Sequence, residues 1–305
     1  MEKAFITGLE GFTGRYLARE LRAAGYAVSG TELVKSADAD PGVFQCDLCD
    51  MDALKRVVAE VKPDVVAHLA GIAFVPHGNA DAMYRTNLVG TRNLLEAIAC
   101  SGHQPRAILL ASSSNIYGNA AVEIIEETVL PAPTNDYAVS KLAMEYMARL
   151  WIDRLPIIFA RPFNYTGIGQ SSVFLLPKIV DHFRRRASVI ELGNLDVVRD
   201  FSDVRTLVQV YRRLLQLAPD EIPRGEAFNT CSGKGHSLLS VIQMMQEISG
   251  HSIEVRVNPE FVRDNEVKVL LGSRAKLEKI IGTVEDIPLV ETLRWMYQGG
   301  GAVAA

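Results

Sequence analysis

Tyr137 and Lys141 stand four positions apart, a spacing that puts both side chains on one face of a helix, one turn from each other. An ammonium beside a phenol favours the phenolate and lowers the phenol pKa from its ordinary value of about 10. A tyrosine tuned in this way can give a proton to a ketone oxygen or take one from an alcohol. Ser113, just past the apolar run Leu109-Leu110-Ala111, offers a hydroxyl to the same oxygen. Tyr-x-x-x-Lys by itself is common on amphipathic helix surfaces. Its weight comes from its company: a glycine fingerprint upstream and a serine-rich strand end between the two.

That fingerprint is Gly8-x-x-Gly11-x-x-Gly14, with Phe12 and Thr13 inside the same turn. It follows an apolar run, Lys3 to Thr7, and opens an amphipathic stretch. Glycines here allow a tight turn and close backbone approach, and the free amides of a helix start can meet a pyrophosphate. Glu32 lies 18 positions after Gly14, at the end of the next apolar run. An acid at that point can bond the adenosine ribose hydroxyls and repel a 2′-phosphate. No arginine follows in Leu33-Val34-Lys35-Ser36, so NAD(H) is favoured and NADP(H) is the alternative. The competing reading of Glu32 is a solvated loop glutamate. Asp47 and Leu48, after a third short strand, are placed to meet the adenine edge.

The elements that must position these residues alternate regularly. Strands are predicted at Lys3–Thr7, Tyr26–Thr31, Val43–Phe44, Asp64–His68, Ala107–Ala111 and Pro156–Ala160. Helices are predicted over Thr13–Ala24, Met51–Val61, Met83–Ser101 and Tyr137–Leu150. Near-continuous apolar strands separated by helices indicate a parallel sheet covered on both faces. This is an α/β, doubly wound architecture, whose ligand site lies beyond the carboxyl ends of the strands. After Arg161 the pattern loosens into a smaller, interrupted α/β part. The division expected is residues 1–163 with roughly 200–232 for the dinucleotide, and roughly 164–199 with 233–305 for the substrate.

Composition narrows the class. Apolar residues make up 48% of the 305, enough for a sizeable core, and no apolar run approaches the roughly 20 residues that span a bilayer. Gly8 and Gly11 cut short the N-terminal apolar stretch, so no signal peptide is expected. A formal charge of −4 argues against a nucleic-acid partner, and Arg184-Arg185-Arg186 reads as a solvated helix face. A cytoplasmic protein is expected. Cys46 and Cys49 form a lone C-x-x-C without the second pair or nearby histidine that a zinc site needs, so no metal is expected.

Taken together, Thr7-Gly8-x-x-Gly11-Phe12-x-Gly14, His68-Leu69-Ala70, Asn87-x-x-Gly90-Thr91, Ser112-Ser113-x-x-x-Tyr117-Gly118, Tyr137-x-x-x-Lys141 and Arg161-Pro162-Phe163-Asn164 resemble the extended short-chain dehydrogenase/reductase family. The resemblance implies a Rossmann sheet. It also implies that Leu69, Ala70 and Asn87 serve the cofactor side, that Pro162 and Phe163 flank the nicotinamide, and that Asn164 approaches a sugar-nucleotide diphosphate. Relatives dimerise through helices equivalent to Met83–Ser101 and Tyr137–Leu150. A homodimer is therefore implied, although Leu94, Leu95, Ile98, Met144 and Met147 could equally pack on the sheet.

Leu192 to Val204, Phe228 to Gly233 and Val262 to Val267 are similar to the GDP-sugar branch of that family. There, arginines at the positions of Arg199 and Arg263 bind phosphates, and a glutamate at the position of Glu266 meets the ribose. The alternative is that Arg199-Asp200 and Arg263-Asp264 are ordinary surface ion pairs. Dehydrating members carry a glutamate where this chain has Asn115, which cannot accept a proton at neutral pH. Asp264, Lys268, Leu33 and Ala73 also depart from the branch pattern. The expectation is reduction of the 4-keto group of GDP-4-dehydro-6-deoxy-D-mannose to a GDP-6-deoxyhexose, rhamnose or talose. The alternatives are an NAD-dependent nucleotide-sugar 4-epimerase and a catalytically silent dinucleotide sensor.

Overall fold

The computed structural model describes residues 1–37, 39–73, 79–217, 220–262 and 268–299. Among these, the apolar runs form strands: β1 (Lys3–Thr7), β2 (Ala27–Glu32), β3 (Val43–Gln45), β4 (Val65–His68), β5 (Ala107–Ala111) and β6 (Ile157–Pro162). The amphipathic stretches between them form α1 (Phe12–Ala23), α2 (Met51–Val61), α3 (Ala80–Tyr84), α4 (Thr91–Cys100) and α5 (Asp136–Arg149). Most strand and helix ends fall within a residue or two of the positions expected from sequence.

The second half adds β7 (Asn164–Thr166), α6 (Leu175–Arg184), β8 (Val189–Leu192), β9 (Val198–Asp203), α7 (Val204–Gln216) and β10 (Glu226–Thr230). It continues through β11 (Gly235–Ser237), α8 (Leu238–Ser249), β12 (Glu254–Val257), β13 (Val269–Leu270), α9 (Ala275–Ile281) and α10 (Leu289–Gln298).

The main sheet is seven-stranded among the described residues, in the order β10-β6-β5-β4-β1-β2-β3, with every pair parallel. The chain leaves β1 toward β2 and β3, then returns to lay β4 on the other side. That reversal opens a crevice at the carboxyl ends of β1 and β4, which is where a doubly wound sheet takes its ligand.

Strand side chains alternate between the two faces. Ala4 and Ile6 of β1 join Leu17 and Leu21 of α1 and Val204, Leu207 and Tyr211 of α7. Leu277 and Ile281 of α9 enter the same core. Phe5 points the other way, into a core with Leu54 and Val58 of α2, Leu94, Leu95 and Ile98 of α4, and Met144 of α5. The apolar residues that could have formed a dimer face are therefore committed to the sheet. The same segments expose Val89, Val139, Tyr146 and Leu150 instead.

A third core, with Ile179, Phe183, Val241, Met245 and Leu293, is built by α6, α8 and α10. Beside it lie the parallel pair β8–β12 and a small sheet in which β9 is flanked by β11 and β13 and also pairs with β7. No helix among the described residues is long and apolar enough to cross a membrane.

The stretch Met83 to Ser101, expected as one helix, departs from that reading. Between α3 and α4 the chain makes a π-helical turn, Arg85–Gly90, with Asn87 buried in it. One extra residue in the turn leaves the apolar stripe almost unbroken, so periodicity alone reads straight through it.

Candidate active site at the carboxyl ends of the strands

The loop from β1 to α1 is shaped by backbone approach. Gly8 has φ +74° and donates its N–H to Thr31 O at 2.9 Å. A Cβ on Gly14 would stand 2.0 Å from Gly8 O and 2.6 Å from Leu9 O, so only glycine fits this crossing of helix and loop. No side chain caps the start of α1 at Gly11. Phe12 stacks on Tyr165, ring centroids 6.0 Å apart, and the Thr13 hydroxyl bonds Tyr165 Oη at 2.8 Å. Glu32, at the end of β2, accepts the amides of Glu10 and Gly11, so it is anchored to the glycine loop and is not a solvated loop residue. Burial raises its pKa and those two amides oppose the rise.

The neighbouring positions lie close by. Leu69 and Ala70 follow β4, and Ala70 backbone atoms would lie 3.1 Å from a Cβ on Gly8. The Leu48 side chain is buried against Gly90, its carbonyl accepts from Asn93 Nδ2 at 3.0 Å, and Asp47 is exposed. Cys46 and Cys49 donate their thiols to the carbonyls of Asp47 and Arg85, and burial pushes both thiol pKa values up.

Ser113 and Lys141 are buried beside Tyr137, bringing the three residues read from sequence into one cluster. Ser113 starts a short helical turn, Ser114–Tyr117, in which its Oγ accepts from Asn115 N at 3.1 Å. Its side chain also bonds Tyr137. Asn135 caps α5 by accepting from Ala138 N at 2.9 Å, which fixes the first turn that carries Tyr137.

The lysine does not act on the phenol as expected. Lys141 Nζ donates to Ala111 O at 2.8 Å and lies 6.0 Å from the Tyr137 ring centroid. Burial dominates: it pushes the Tyr137 pKa up to about 12, with the Ser113 hydrogen bond pulling the other way, and pushes Lys141 down to about 8. The phenol is thus protonated across the neutral range.

Behind the cluster runs a chain of polar groups that sequence inspection left unconnected. Asn87 Oδ1 accepts from Ile72 N at 2.8 Å, while its Nδ2 donates to Ile72 O at 3.1 Å and Ser140 Oγ at 3.0 Å. This amide ties the loop after β4 to α5. Thr91 Oγ1 donates to Asn87 O at 2.7 Å, so toward His68 it can only accept. His68 therefore carries its proton on Nε2, 2.8 Å from Thr91 Oγ1, and accepts at Nδ1 from the Thr7 hydroxyl at 2.6 Å. The signal was available in principle, since Thr7 and His68 end adjacent strands in direct register.

His68 is buried, and that burial, aided by Lys141, drops its pKa from 6.5 to about 3. Between these values the unfolded chain binds a proton that the folded one refuses, so stability falls as pH drops below 6.5. Going from pH 7 to 5 should cost about 2 kcal/mol through this residue. Urea denaturation of the wild type and His68→Gln at the two pH values measures it. An equal pH dependence in both proteins would assign the loss elsewhere.

On the substrate side, Pro162 ends β6, and the Phe163 ring is buried in a small core with Ile116, Tyr117, Ile125, Cys231 and Leu270. Asn164 Nδ2 donates to Asp200 O at 3.2 Å. Arg199 lies on β9, in register with His236 and Leu270, and donates to the carbonyls of Val198 and Lys268. The buried Asp200 carboxylate accepts from Ser232 N, Ser232 Oγ and Gly233 N at 2.7–2.8 Å, pinning the turn after β10 to β9. Arg263 and Glu266 lie outside the described residues.

Known proteins resemble this chain over nearly its whole length. It is 34% identical over 283 residues to GDP-6-deoxy-D-talose 4-dehydrogenase of Aggregatibacter actinomycetemcomitans, covering 92% of this chain and 91% of that protein. It is 33% identical to GDP-6-deoxy-D-mannose reductase of Pseudomonas aeruginosa, covering 96% of this chain and 95% of that one. Among solved structures, RMD of Pseudomonas aeruginosa complexed with NADPH superposes with a TM-score of 0.84 at 31% identity, over 97% of this chain and 98% of that one. A Burkholderia cenocepacia protein provisionally named an epimerase gives 0.90 at 51% identity, over 98% of this chain and 97% of that one. Residues 5–296 match the model of the family described as GDP-mannose 4,6 dehydratase. The chain belongs to that family, within the extended short-chain dehydrogenases/reductases.

Proposed function

We propose that this protein reduces the 4-keto group of GDP-4-dehydro-6-deoxy-D-mannose to a GDP-6-deoxyhexose with rhamnose or talose configuration, NADH being the favoured cofactor. The observation that carries the reading is the cluster of buried Ser113 and Lys141 with half-buried Tyr137, whose phenol is protonated at neutral pH. Reduction of a ketone consumes one hydride and one proton, and a protonated phenol is the proton donor it needs. Asn115 stands where dehydrating relatives carry a glutamate, which weighs against loss of water across carbons 5 and 6.

The residues present suit a dinucleotide. Gly8, Gly11, Phe12, Thr13 and Gly14 leave an uncapped helix start for a pyrophosphate, Gly14 admits no side chain, and Ser112 Oγ beside the cluster is buried without a hydrogen-bond partner. Glu32 would meet the adenosine ribose, Asp47 and Leu48 the adenine edge, and Leu69, Ala70 and Asn87 the central part. Pro162 and the Phe163 backbone would flank the nicotinamide, which when bound supplies the hydride. Tyr137 gives its proton to the substrate oxygen, and Ser113 bonds the same oxygen. Lys141, in the same cluster, would hold the ribose, and its ammonium would stabilise the phenolate left on Tyr137. Asn164, Arg199 and Arg263 are assigned to the diphosphate, where a guanidinium offers two parallel donors, and Glu266 to the guanosine ribose.

We assign residues 1–163 with about 200–232 to the cofactor and the remainder to the sugar nucleotide. The protein is read as a cytoplasmic homodimer whose contact uses the exposed Val89, Val139, Tyr146 and Leu150.

Mixing the protein with the 4-keto sugar and either NADH or NADPH, and following nicotinamide absorbance, tests the function and the cofactor together. Stoichiometric oxidation, faster with NADH, is expected. Glu32→Ser should narrow the preference by about tenfold, or about 1.4 kcal/mol, because it removes both the ribose contact and the charge that repels a 2′-phosphate. The similarity to the protein provisionally named an epimerase favours a second reading. In that case NAD stays bound through purification and no net oxidation occurs.

A further inference from the structure

Glu145 follows Lys141 by four residues on α5, so the two share a helix face one turn apart. Both are buried, Glu145 to 2% and Lys141 to 7% exposure. A lone buried carboxylate would draw a neighbouring ammonium into direct contact, yet Lys141 Nζ donates to Ala111 O. The reason lies in Arg161 near the end of β6. Its Nε and Nη2 donate to the two Glu145 oxygens at 2.9 and 2.6 Å, a fork that occupies the whole carboxylate. Its Nη1 donates to Tyr117 Oη at 2.8 Å, Tyr117 donates to Asn229 Oδ1 at 2.8 Å, and Asn229 Nδ2 donates to Ile125 O at 3.0 Å. Arg161 is thereby held by groups that lie outside the helix.

We propose that Glu145 is the counter-charge of Lys141 and that Arg161 is its tether: the pair keeps a negative charge one turn from the ammonium while denying it contact, so that Lys141 stays protonated beside Tyr137. Both are positioning residues, and the inference rests on the reading of Tyr137 and Lys141 given above. The other groups facing Lys141 are Tyr137 on its own helix and His68 on β4, which is neutral. Near the surface of α5, Asp136 pairs with Tyr84, Arg92 pairs with Glu96 and Arg85 is exposed. Burial pushes Lys141 toward neutrality and Glu145 opposes it, so Glu145 is the anionic group that sustains the charge.

The test uses protein labelled with 13C at lysine Cε, the Lys141 signal being assigned by its loss in Lys141→Arg. Its titration is read alongside the pH profile of kcat. In Glu145→Gln the Lys141 midpoint should fall by roughly one pH unit, and kcat should fall roughly fivefold at pH 8 but less than twofold at pH 6. In Arg161→Met the freed carboxylate should raise the midpoint and draw the ammonium away, lowering kcat at every pH. An unmoved midpoint in folded Glu145→Gln overturns the proposal. Should either single variant fail to fold around its orphaned charge, the double variant Glu145→Gln/Arg161→Gln leaves no such charge. It must still show a lowered midpoint, and an unmoved one overturns the idea equally. A midpoint that moves while the kcat profile does not would instead overturn the role given to Lys141 in catalysis.

Discussion

Tyr137→Phe is expected to lower kcat by roughly 10³-fold or more while NADH affinity stays within about twofold. Phenylalanine fills the same space, so the packing at the start of α5 survives and only the hydroxyl is lost. With its pKa near 12 that hydroxyl is protonated throughout the working range, and no other group of the cluster can take its place as donor. Ser113 is a poor acid at these pH values, and the Lys141 ammonium is turned toward Ala111 O. Single-turnover oxidation of NADH by the 4-keto sugar, together with a fluorescence titration of NADH, separates chemistry from binding. A loss of kcat below tenfold would remove Tyr137 from the proton step. Ser113→Ala should be milder in rate, and it also gives up the bond to Asn115 N, an N-cap contact worth about 1 kcal/mol.

The second large effect concerns the glycine loop proposed to hold the dinucleotide. Gly14→Ala places a methyl 2.0 Å from Gly8 O and 2.6 Å from Leu9 O. Both obstacles are backbone, so no rotamer change relieves them. The helix cannot retreat either, since Leu17 and Leu21, one and two turns further on, are locked in the first core. The loop itself must move, at a cost of about 3 kcal/mol or more, and the affinity for NADH should fall by over ~100-fold. Denaturant melts and calorimetric titration read the two losses. Gly25→Ala makes a useful contrast: its φ is +89° but nothing lies within 4 Å, so it should cost about 1 kcal/mol of stability and leave binding alone. If Gly14→Ala bound NADH normally, the close crossing of loop and helix would not be what shapes the site.

Much of this was legible in the residues, and the exceptions have identifiable causes. The strands read correctly because a parallel sheet buried on both faces demands unbroken apolar runs such as Ile108-Leu109-Leu110. Ser113, Tyr137 and Lys141 could be grouped because their types and spacing are restrictive. Spacing, however, reports nearness and not partners. It reveals neither that Lys141 finds the carbonyl of Ala111 nor that burial dominates at Tyr137, so the phenol shifts up where spacing alone predicts a fall. Likewise Arg161 stood out only as part of Arg161-Pro162-Phe163-Asn164. Its bonds to Glu145 cross from a strand to a helix 16 residues earlier, where no local pattern announces them. The π turn around Asn87 leaves no mark in the sequence pattern because it disturbs the apolar stripe so little.

The position of β10 bears on how the molecule is made. This strand closes the sheet against β6, yet some 60 residues separate them in sequence. While the chain emerges from the ribosome, β6 therefore spends the synthesis of that whole stretch as an open edge, its Ile157-Ile158-Phe159-Ala160 segment one of the most apolar strands in the sheet. An unpaired apolar edge of this kind is a template for pairing with other nascent chains. Fragments ending before residue 226 should accordingly need chaperones or aggregate, whereas fragments that reach past Thr230 should not.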